Sequence, residues 1–142
     1  MKESDLQVQV ADYLRLRHPD VLFHSDFGSG IKLTPGQAVK QKRQNGGRRA
    51  WPDLFIAEPK IETVIHPGFG FGGGAKNAIY HGLFIELKKE GARIRKKNGE
   101  WASEHIAEQA EVLLELRNKG YQADFAVGFN EAIKLIDEYL GA

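Results

Sequence analysis

Two short apolar segments that carry acidic side chains constrain the fold of this chain more than any other feature. The first covers residues 51–56 and the second residues 80–88, and proline or glycine bounds both. Apolar runs of this length with such boundaries predict buried β-strands. A buried strand should be hydrophobic, so Asp53 in the first segment and Glu86 in the second need a separate explanation.

The spacing within the second segment points to a polar cleft. Successive side chains of a strand alternate between its faces, so Glu86 and Lys88 share one face and can act on one bound water or phosphate. Asp53 opens the first strand and reaches the same cleft if the two strands pair. Converging carboxylates repel each other unless a cation lies between them, and oxygen ligands suit Mg²⁺ or Mn²⁺. The alternative is structural, with a solvated Glu-x-Lys face and a Pro-Asp turn.

Composition excludes several kinds of site. A chain of 142 residues is long enough for one domain with a hydrophobic core. It contains no cysteine, which rules out disulfides, thiolate nucleophiles and cysteine-ligated zinc. No apolar run approaches the ~20 residues of a membrane span, and the N-terminal residues are charged from the start, so we expect no membrane partner and a cytoplasmic location.

Basic residues are concentrated in two stretches, although the formal net charge is only +1. Residues 27–52 contain no acid, and residues 88–97 contain one, Glu90. Both stretches flank the predicted carboxylate cleft, which is typical of contact with a phosphate backbone, and solvated loops are the alternative. The side chains expected to bind DNA are Lys32, Lys40, Lys42, Arg43, Arg48, Arg49, Lys89, Arg93, Arg95, Lys96 and Lys97.

Helical spacing of apolar residues predicts a first helix over residues 4–17. If this helix continues back through residue 3, Glu3 and Gln7 lie on its inward face, and the alternative is that Glu3 only complements the helix dipole. Thr34 and Pro35 predict the start of a short basic helix that ends at the glycines 46–47 and has little apolar surface to bury.

A third helix is predicted over residues 103–118, with Ser103 as its N-cap. Its inward stripe consists of Ile106, Ala110, Leu113, Leu114 and Leu116. Gln109 lies within this stripe, and a buried amide costs free energy unless it has partners, so a polar site is expected nearby. The alternative places Gln109 at the margin of the stripe. Residues 121–127 predict a strand, and Asn130 is expected to cap a final helix.

Residues 59–79 predict a flexible glycine-rich insertion between two core strands, with an extra edge strand over residues 61–65. Phe69 and Phe71 could dock on a partner subunit or stack on a base. The histidines lack metal-binding spacing, and His81 and His105 are the two that lie close in sequence to the predicted site.

The Pro52-Asp53 pair followed by Glu86-Leu87-Lys88 resembles the PD-(D/E)XK nuclease signature. The longer segments, residues 47–54 and 80–88, are similar to the VRR-NUC branch of that superfamily, found in phages and bacteria and as the nuclease module of a DNA-repair enzyme. The resemblance covers nearly the whole chain, because Gln109 and the final strand–helix unit also fit. It implies an α/β fold in a single domain, with a restriction-endonuclease-like mixed β-sheet flanked by α-helices.

The resemblance also implies hydrolysis of DNA phosphodiesters with Mg²⁺ or Mn²⁺. The implied metal ligands are Glu3, Asp53, Glu86 and the carbonyl of Leu87, with Asp5 competing for the place of Glu3. The implied catalytic residues are Asp53, Glu86, Lys88 and Gln109. Lys88 would orient the attacking water and offset transition-state charge, and Gln109 would position water or Lys88.

Stand-alone VRR-NUC proteins of this size are expected to act as homodimers on branched DNA, such as four-way junctions, during phage or bacterial replication or repair. A two-fold dimer presents two sites to a two-fold substrate, whereas a monomer would suit flaps or nicks. The cell would be a bacterium or a phage-infected host. The alternatives are a non-catalytic DNA-binding module, a site-specific restriction-type endonuclease, and an interaction protein that docks through the glycine-rich segment containing Phe69 and Phe71.

Overall fold

A computed structural model of the chain describes residues 1–26, 32–48, 50–65 and 74–141. The elements, in chain order, are α1 (Glu3–Arg17), β1 (Phe23–Ser25), α2 (Pro35–Gln44), β2 (Leu54–Ile56), β3 (Lys60–Ile65), β4 (Gly74–Tyr80), β5 (Leu83–Lys88), α3 (Glu104–Asn118), β6 (Gln122–Val127) and α4 (Phe129–Leu140). None of the helices within these ranges has the length and apolarity required to cross a membrane.

The main sheet has the strand order β1-β2-β5-β6. The pairs β1–β2 and β2–β5 are antiparallel, and β5–β6 is parallel. A parallel pair needs a crossover connection, which α3 supplies between β5 and β6. Helices pack on both faces of this mixed sheet, so the predicted α/β fold class is confirmed.

The helices α1 and α4 cover one face of the sheet. This face holds the larger core cluster, which includes Leu6, Val10, Leu14, Leu54, Ile56, Leu83, Ile85, Leu87, Ala126, Ala132, Ile136 and Tyr139. The apolar residues of β5 that contribute to it are the odd-numbered ones, as the strand alternation requires. The even-numbered side chains Phe84, Glu86 and Lys88 therefore project to the opposite face, as predicted.

Helix α3 covers that opposite face through Val112, Leu113 and Leu116, which pack with Ala123. Ser103 caps the helix as predicted, accepting a hydrogen bond from the backbone N–H of Ile106. Leu114 was expected in the inward stripe, but that prediction is wrong, because its side chain is 54% exposed. It follows Leu113 and is therefore turned by about 100° around the helix axis, away from the sheet.

The segment predicted as a flexible insertion contains a second sheet. Its described parts, β3 and β4, pair antiparallel as a two-stranded ribbon, so residues 61–65 are not an edge strand of the main sheet. The predicted strand over residues 80–88 is also divided, because β4 ends at Tyr80 and β5 begins at Leu83. Gly82 lies at the division, where a Cβ atom would be 2.8 Å from Cε2 of Phe55. Phe69 and Phe71 lie outside the described residues.

The start of α4 also differs from the prediction. Asn130 was expected to cap the helix, but Gly128 is the N-cap and Asn130 lies within the first turn. Gly128 has φ +84°, a conformation that glycine adopts readily, and its N–H donates to the carbonyl of Lys88 at 2.8 Å. The chain therefore passes from β6 into α4 through Gly128, and the helix begins without a side-chain cap.

Candidate active site

The antiparallel pairing of β2 with β5 brings the two predicted acids together. Leu54 is opposite Ile85, and continuing this register by one residue places Asp53 opposite Glu86. Both side chains are buried, with 7% of Asp53 and 3% of Glu86 exposed. The two acids therefore face each other at the point where β2 begins.

Asp53 immediately precedes β2, and its side chain continues the hydrogen bonding to β5 where β2 has not yet begun. Its Oδ2 accepts a hydrogen bond from the backbone N–H of Leu87 at 2.9 Å. The N–H and C=O of a strand residue point toward the same neighbour, and the carbonyl of Lys88 points toward the β6 side, where it accepts from Gly128. The carbonyl of Leu87 is therefore directed to the opposite side, toward Asp53 and the cleft.

Glu86 is a buried carboxylate with incomplete hydrogen bonding. Its Oε1 accepts from Nε2 of Gln109 at 2.7 Å and lies 3.8 Å from Nζ of Lys88. Its Oε2 is buried and has no hydrogen-bond partner among the described residues. Burial, reinforced by the neighbouring charge of Asp53, raises the pKa of Glu86 to about 10, and the opposing charge of Lys88 does not cancel this effect.

Gln109 is buried on α3 and contacts Glu86 directly. The burial predicted from its place in the helical stripe is thus present, but its amide contacts the carboxylate rather than Lys88. Its nitrogen also lies 3.2 Å from Nε2 of His105, one helical turn earlier. The Oε1 atom of Gln109 is buried and has no partner within the described part of the chain.

A cleft of about 690 Å³ opens above these side chains. Its polar lining includes Glu3, Asp26, Asp53, Glu86, Lys88, His105 and Gln109. Helix α1 begins at Glu3, and the charge of Glu3 contributes to the raised pKa of Glu86. Asp5, the competing residue, lines a separate hollow beside Lys89. His81, the other histidine considered, is exposed and packs near Tyr121 and Gly120.

Asp26 is a cleft residue that the sequence analysis missed. Its backbone N–H donates to the carbonyl of Asp53 at 2.7 Å, which joins the ends of β1 and β2. Gln7 of α1 supports the same corner, because its Nε2 donates to the carbonyl of Asp26 at 2.6 Å and to Oγ of Ser25 at 2.8 Å. The available sequence signal was an acidic residue shortly after the apolar run Val21-Leu22-Phe23.

The chain matches no protein-family model and no curated protein. It is similar to a solved structure described as a VRR_NUC domain protein, with a TM-score of 0.60 and 24% sequence identity. The match covers 99% of this chain and 89% of that one. This chain has a VRR-NUC-like fold. Identity at this level establishes the fold alone, so the chemistry must be argued from the cleft itself.

The oxygen atoms that meet in this VRR-NUC-like fold suit a hard divalent cation that takes few ligands from the protein. No group of three or more His, Cys, Asp or Glu side chains in the described ranges is arranged to hold a metal ion. The set that comes closest to such a group consists of the carboxylates of Asp53 and Glu86 and the carbonyl of Leu87. Mg²⁺ commonly binds through one or two carboxylates and retains several waters, so this oxygen-only set is adequate for it. Glu3 is at the rim of the same cleft.

Helix α2 lies beside the cleft of the VRR-NUC-like fold with none of its described side chains buried. A capping box at Thr34 and Gln37 stabilises its start, as the predicted N-cap required. Of the basic residues expected to bind DNA, Lys42 and Arg48 line the cleft. Arg48 also pairs with Glu115 of α3 at 2.8 Å.

The other described basic residues of the first stretch are not among the residues that line the cleft. Lys32, Lys40 and Arg43 are exposed. Arg49 is outside the described residues.

The second basic stretch contains a short hairpin over residues 94–102. Arg95 forms a β-bridge with Trp101, its guanidinium lies 3.9 Å from the centre of the Trp101 ring, and its Nη1 donates to the carbonyl of Gly99 at 2.7 Å. The side chain of Arg95 thus stabilises the hairpin, and its expected contact with DNA stays a prediction, because the residue is exposed. Lys96 and Lys97 are exposed at the turn. Lys89 and Arg93 are also exposed.

Proposed function

We propose that this chain is a metal-dependent nuclease that hydrolyses phosphodiester bonds in DNA. The observation that carries the proposal is the buried Oε2 of Glu86, which has no hydrogen-bond partner among the described residues and belongs to a carboxylate facing Asp53. Two buried carboxyl groups this close cannot both ionise unless a counter-ion compensates their charge. The arrangement is therefore what a cation site requires.

The metal would be held by Asp53, Glu86 and the carbonyl of Leu87. When bound, Mg²⁺ or Mn²⁺ would lower the pKa of a coordinated water and offset charge on the phosphate oxygens. Glu3, at the cleft rim, would contribute to the same site through a water or hold a second ion. The raised pKa of Glu86 supports this assignment, because a cation between the two acids would remove the repulsion that contributes to the shift.

Lys88 would act on the substrate rather than on the metal. Lys88 is a buried residue, only 7% exposed, and it lies on the same face of β5 as Glu86. With three N–H donors, it can orient the attacking water and also donate to a phosphate oxygen, where negative charge increases in the transition state. Gln109 would hold Oε1 of Glu86 in place, so that the carboxylate does not rotate away from the metal.

DNA would be bound through basic side chains around the cleft. Lys42 lies at its wall, and Lys96 and Lys97 extend from the hairpin that follows β5. Exposed lysines of this kind would contact phosphates rather than base edges, which favours a nuclease that selects DNA by shape over a site-specific restriction-type enzyme. We therefore extend the proposal to branched DNA, such as four-way junctions, cut by a homodimer with two-fold symmetry.

Cleavage of labelled junction, flap, nicked and linear DNA in Mn²⁺ tests the activity and the substrate together. We expect the wild type to cut the junction fastest, and Glu86→Ala to lose cleavage, because one metal ligand is removed. Glu131→Ala is the matched control, since Glu131 is exposed on α4, and it should cut at the wild-type rate. Sedimentation equilibrium of the wild type should give the mass of a dimer.

A DNA-binding module without catalysis is the second candidate, and the exposed lysines of the hairpin favour it. It predicts that DNA binds equally well in EDTA and in Mn²⁺ and that all four substrates stay intact. Uncut DNA under conditions in which a control nuclease is active would therefore sink the nuclease proposal and support this one.

A further inference from the structure

The amide nitrogen of Gln109 lies between two acceptors. It is 2.7 Å from Oε1 of Glu86 and 3.2 Å from Nε2 of His105. A primary amide nitrogen carries two hydrogens, so it can donate one to each neighbour. Nε2 of His105 is then the acceptor of this contact, and the N–H of the ring that remains is the one at Nδ1.

The orientation of this amide depends on the contacts of its nitrogen, because its oxygen makes none among the described residues. Gln109 is 5% exposed, and its Oε1 is buried without a hydrogen-bond partner among the described residues. If the amide turned by 180°, its oxygen would face Oε1 of Glu86 and would repel that carboxylate once a bound cation keeps it ionised. The contact with His105 therefore decides between two orientations of the amide that differ in what they offer Glu86.

The helix makes this contact possible. His105 and Gln109 are four residues apart on α3, and side chains at this spacing are neighbours on one face of a helix. His105 lies in the first turn and lines the cleft together with Glu86 and Lys88. The imidazole thus approaches the amide from the solvent side, while Glu86 approaches it from the sheet.

We propose that His105 is a positioning residue of this site: by accepting a hydrogen bond from Gln109 at Nε2, it directs the second N–H of that amide to Oε1 of Glu86. The carboxylate is thereby held in the orientation in which its free Oε2 faces a metal ion. This inference rests on the proposed nuclease function. Groups hydrogen-bonded directly to a metal ligand, as Gln109 is to Glu86, typically contribute about 10–100-fold to metal affinity or activity, and His105, one contact further out, should contribute at the lower end of that range.

Substitutions at position 105 separate this role from simple packing. Gln at this position offers its Oε1 near the place of Nε2, whereas Asn reaches only to the place of Nδ1. We expect His105→Ala and His105→Asn to lower kcat and Mn²⁺ affinity about tenfold, with KM for DNA unchanged, and His105→Gln to restore both values. His24→Ala is the control, because His24 is exposed on β1, and it should behave as the wild type.

A double variant tests whether His105 acts through Gln109. If it does, adding His105→Ala to Gln109→Ala should cause no further loss of kcat or of Mn²⁺ affinity, measured by calorimetry. Additive losses, or failure of His105→Gln to restore the values, would mean that His105 contacts the metal or DNA itself, and would overturn the proposal.

The histidine tautomer provides a readout that does not depend on catalysis. Long-range ¹H–¹⁵N spectra of the metal-free protein, assigned by comparison with His105→Gln, should show His105 protonated at Nδ1. A proton on Nε2 would refute the inference. Wild-type protein that neither binds Mn²⁺ nor cuts DNA would overturn the proposed function. An active wild type with an equally active His105→Ala variant would overturn the inference alone.

Discussion

Two carboxylate clusters in this protein have opposite surroundings. On α4, Asp137 accepts hydrogen bonds from Oη of Tyr13 at 2.7 and 2.9 Å, and Nε2 of His18 lies 3.0 Å away. In the cleft, Glu86 accepts one hydrogen bond from Gln109, while its second oxygen has no partner among the described residues. Asp137 therefore has hydrogen-bonding partners at both oxygens, whereas Glu86 has a donor at one oxygen only within the described ranges.

The titration of the two groups reflects this difference. Partial burial pushes the pKa of Asp137 upward, but the hydrogen bonds from His18 and Tyr13 outweigh it and lower the pKa below its ordinary value. Burial and the charge of Asp53 raise the pKa of Glu86 instead. The Asp137 cluster joins α1 to α4 and has little capacity left for a ligand. The Glu86 cluster retains that capacity at a cost in stability.

Among variants that keep both acids, replacing Lys88 should give the largest change in activity, because in the described part of the chain Lys88 is the cation that lies beside the buried Glu86. We expect Lys88→Ala to lower kcat by about 10²–10³-fold, the usual effect of deleting a donor that stabilises transition-state charge. Lys134→Ala, an exposed lysine on α4, is the control for the loss of charge. Single-turnover cleavage at wild-type rate in Lys88→Ala would remove this residue from the chemistry.

The next effect concerns stability and pH. The pKa of Glu86 is raised from 4.5 to about 10, so the folded protein binds this proton more tightly than the unfolded chain does. The metal-free protein should therefore lose stability as pH rises between these values, with the loss complete near the folded pKa.

Glu86→Gln should flatten this dependence and increase the free energy of unfolding of the metal-free protein at pH 8 by about 1–3 kcal/mol. Thermal unfolding in EDTA from pH 5 to pH 9 measures the effect. A wild-type Tm that is constant or increases over this range would contradict the contrast between the two clusters.

The Asp137 cluster should respond in the opposite way. Asp137→Asn weakens its contacts with His18 and Tyr13, and we expect a loss of about 1 kcal/mol in the free energy of unfolding, measured in urea, with kcat unchanged. Because the pKa of Asp137 is lowered, its contribution is present at neutral pH and is lost as pH falls through the folded pKa. A drop in kcat at saturating DNA would show that the two clusters are coupled.

The smallest expected effect concerns charges that belong to neither cluster. The variant in which Lys96 and Lys97 are both alanine should bind duplex DNA more weakly, and the slope of log K against log salt should fall by about 1.8 if each lysine contacts one phosphate. Its kcat should not change. The control replaces Lys119 and Lys134, which are exposed near the C-terminal end of α3 and on α4. Equal slopes for both variants would remove the hairpin from the DNA-binding surface.

Much of the site could be predicted because it depends on local periodicity. Strand alternation placed Glu86 and Lys88 on one face, and the helical stripe placed Gln109 toward a polar region. These inferences need only the geometry of one element. The pairing of Asp53 with Glu86 needed one further assumption, that β2 and β5 are neighbours, and the register confirms it.

The features that could not be predicted depend on contacts between distant residues. The contact between His18 and Asp137 joins residues 119 positions apart, and no local pattern indicates it. The strand over residues 61–65 was predicted, but its partner β4 was missed, because β4 begins in a glycine-rich stretch that resembles a loop. The stacking of Arg95 on Trp101 was also missed, because the sequence does not show that the chain returns to bring the two side chains together.

The hydrogen bond from Leu87 to Asp53 links folding with chemistry at a single oxygen. Oδ2 of Asp53 replaces a backbone carbonyl that the neighbouring strand is too short to provide. Truncating this side chain would loosen the sheet as well as remove a ligand, so an inactive Asp53→Ala protein could not tell the two losses apart. The asparagine side chain has the same length, keeps an acceptor oxygen and removes the charge. Asp53→Asn is therefore the substitution that separates the catalytic role of this residue from its role in the sheet.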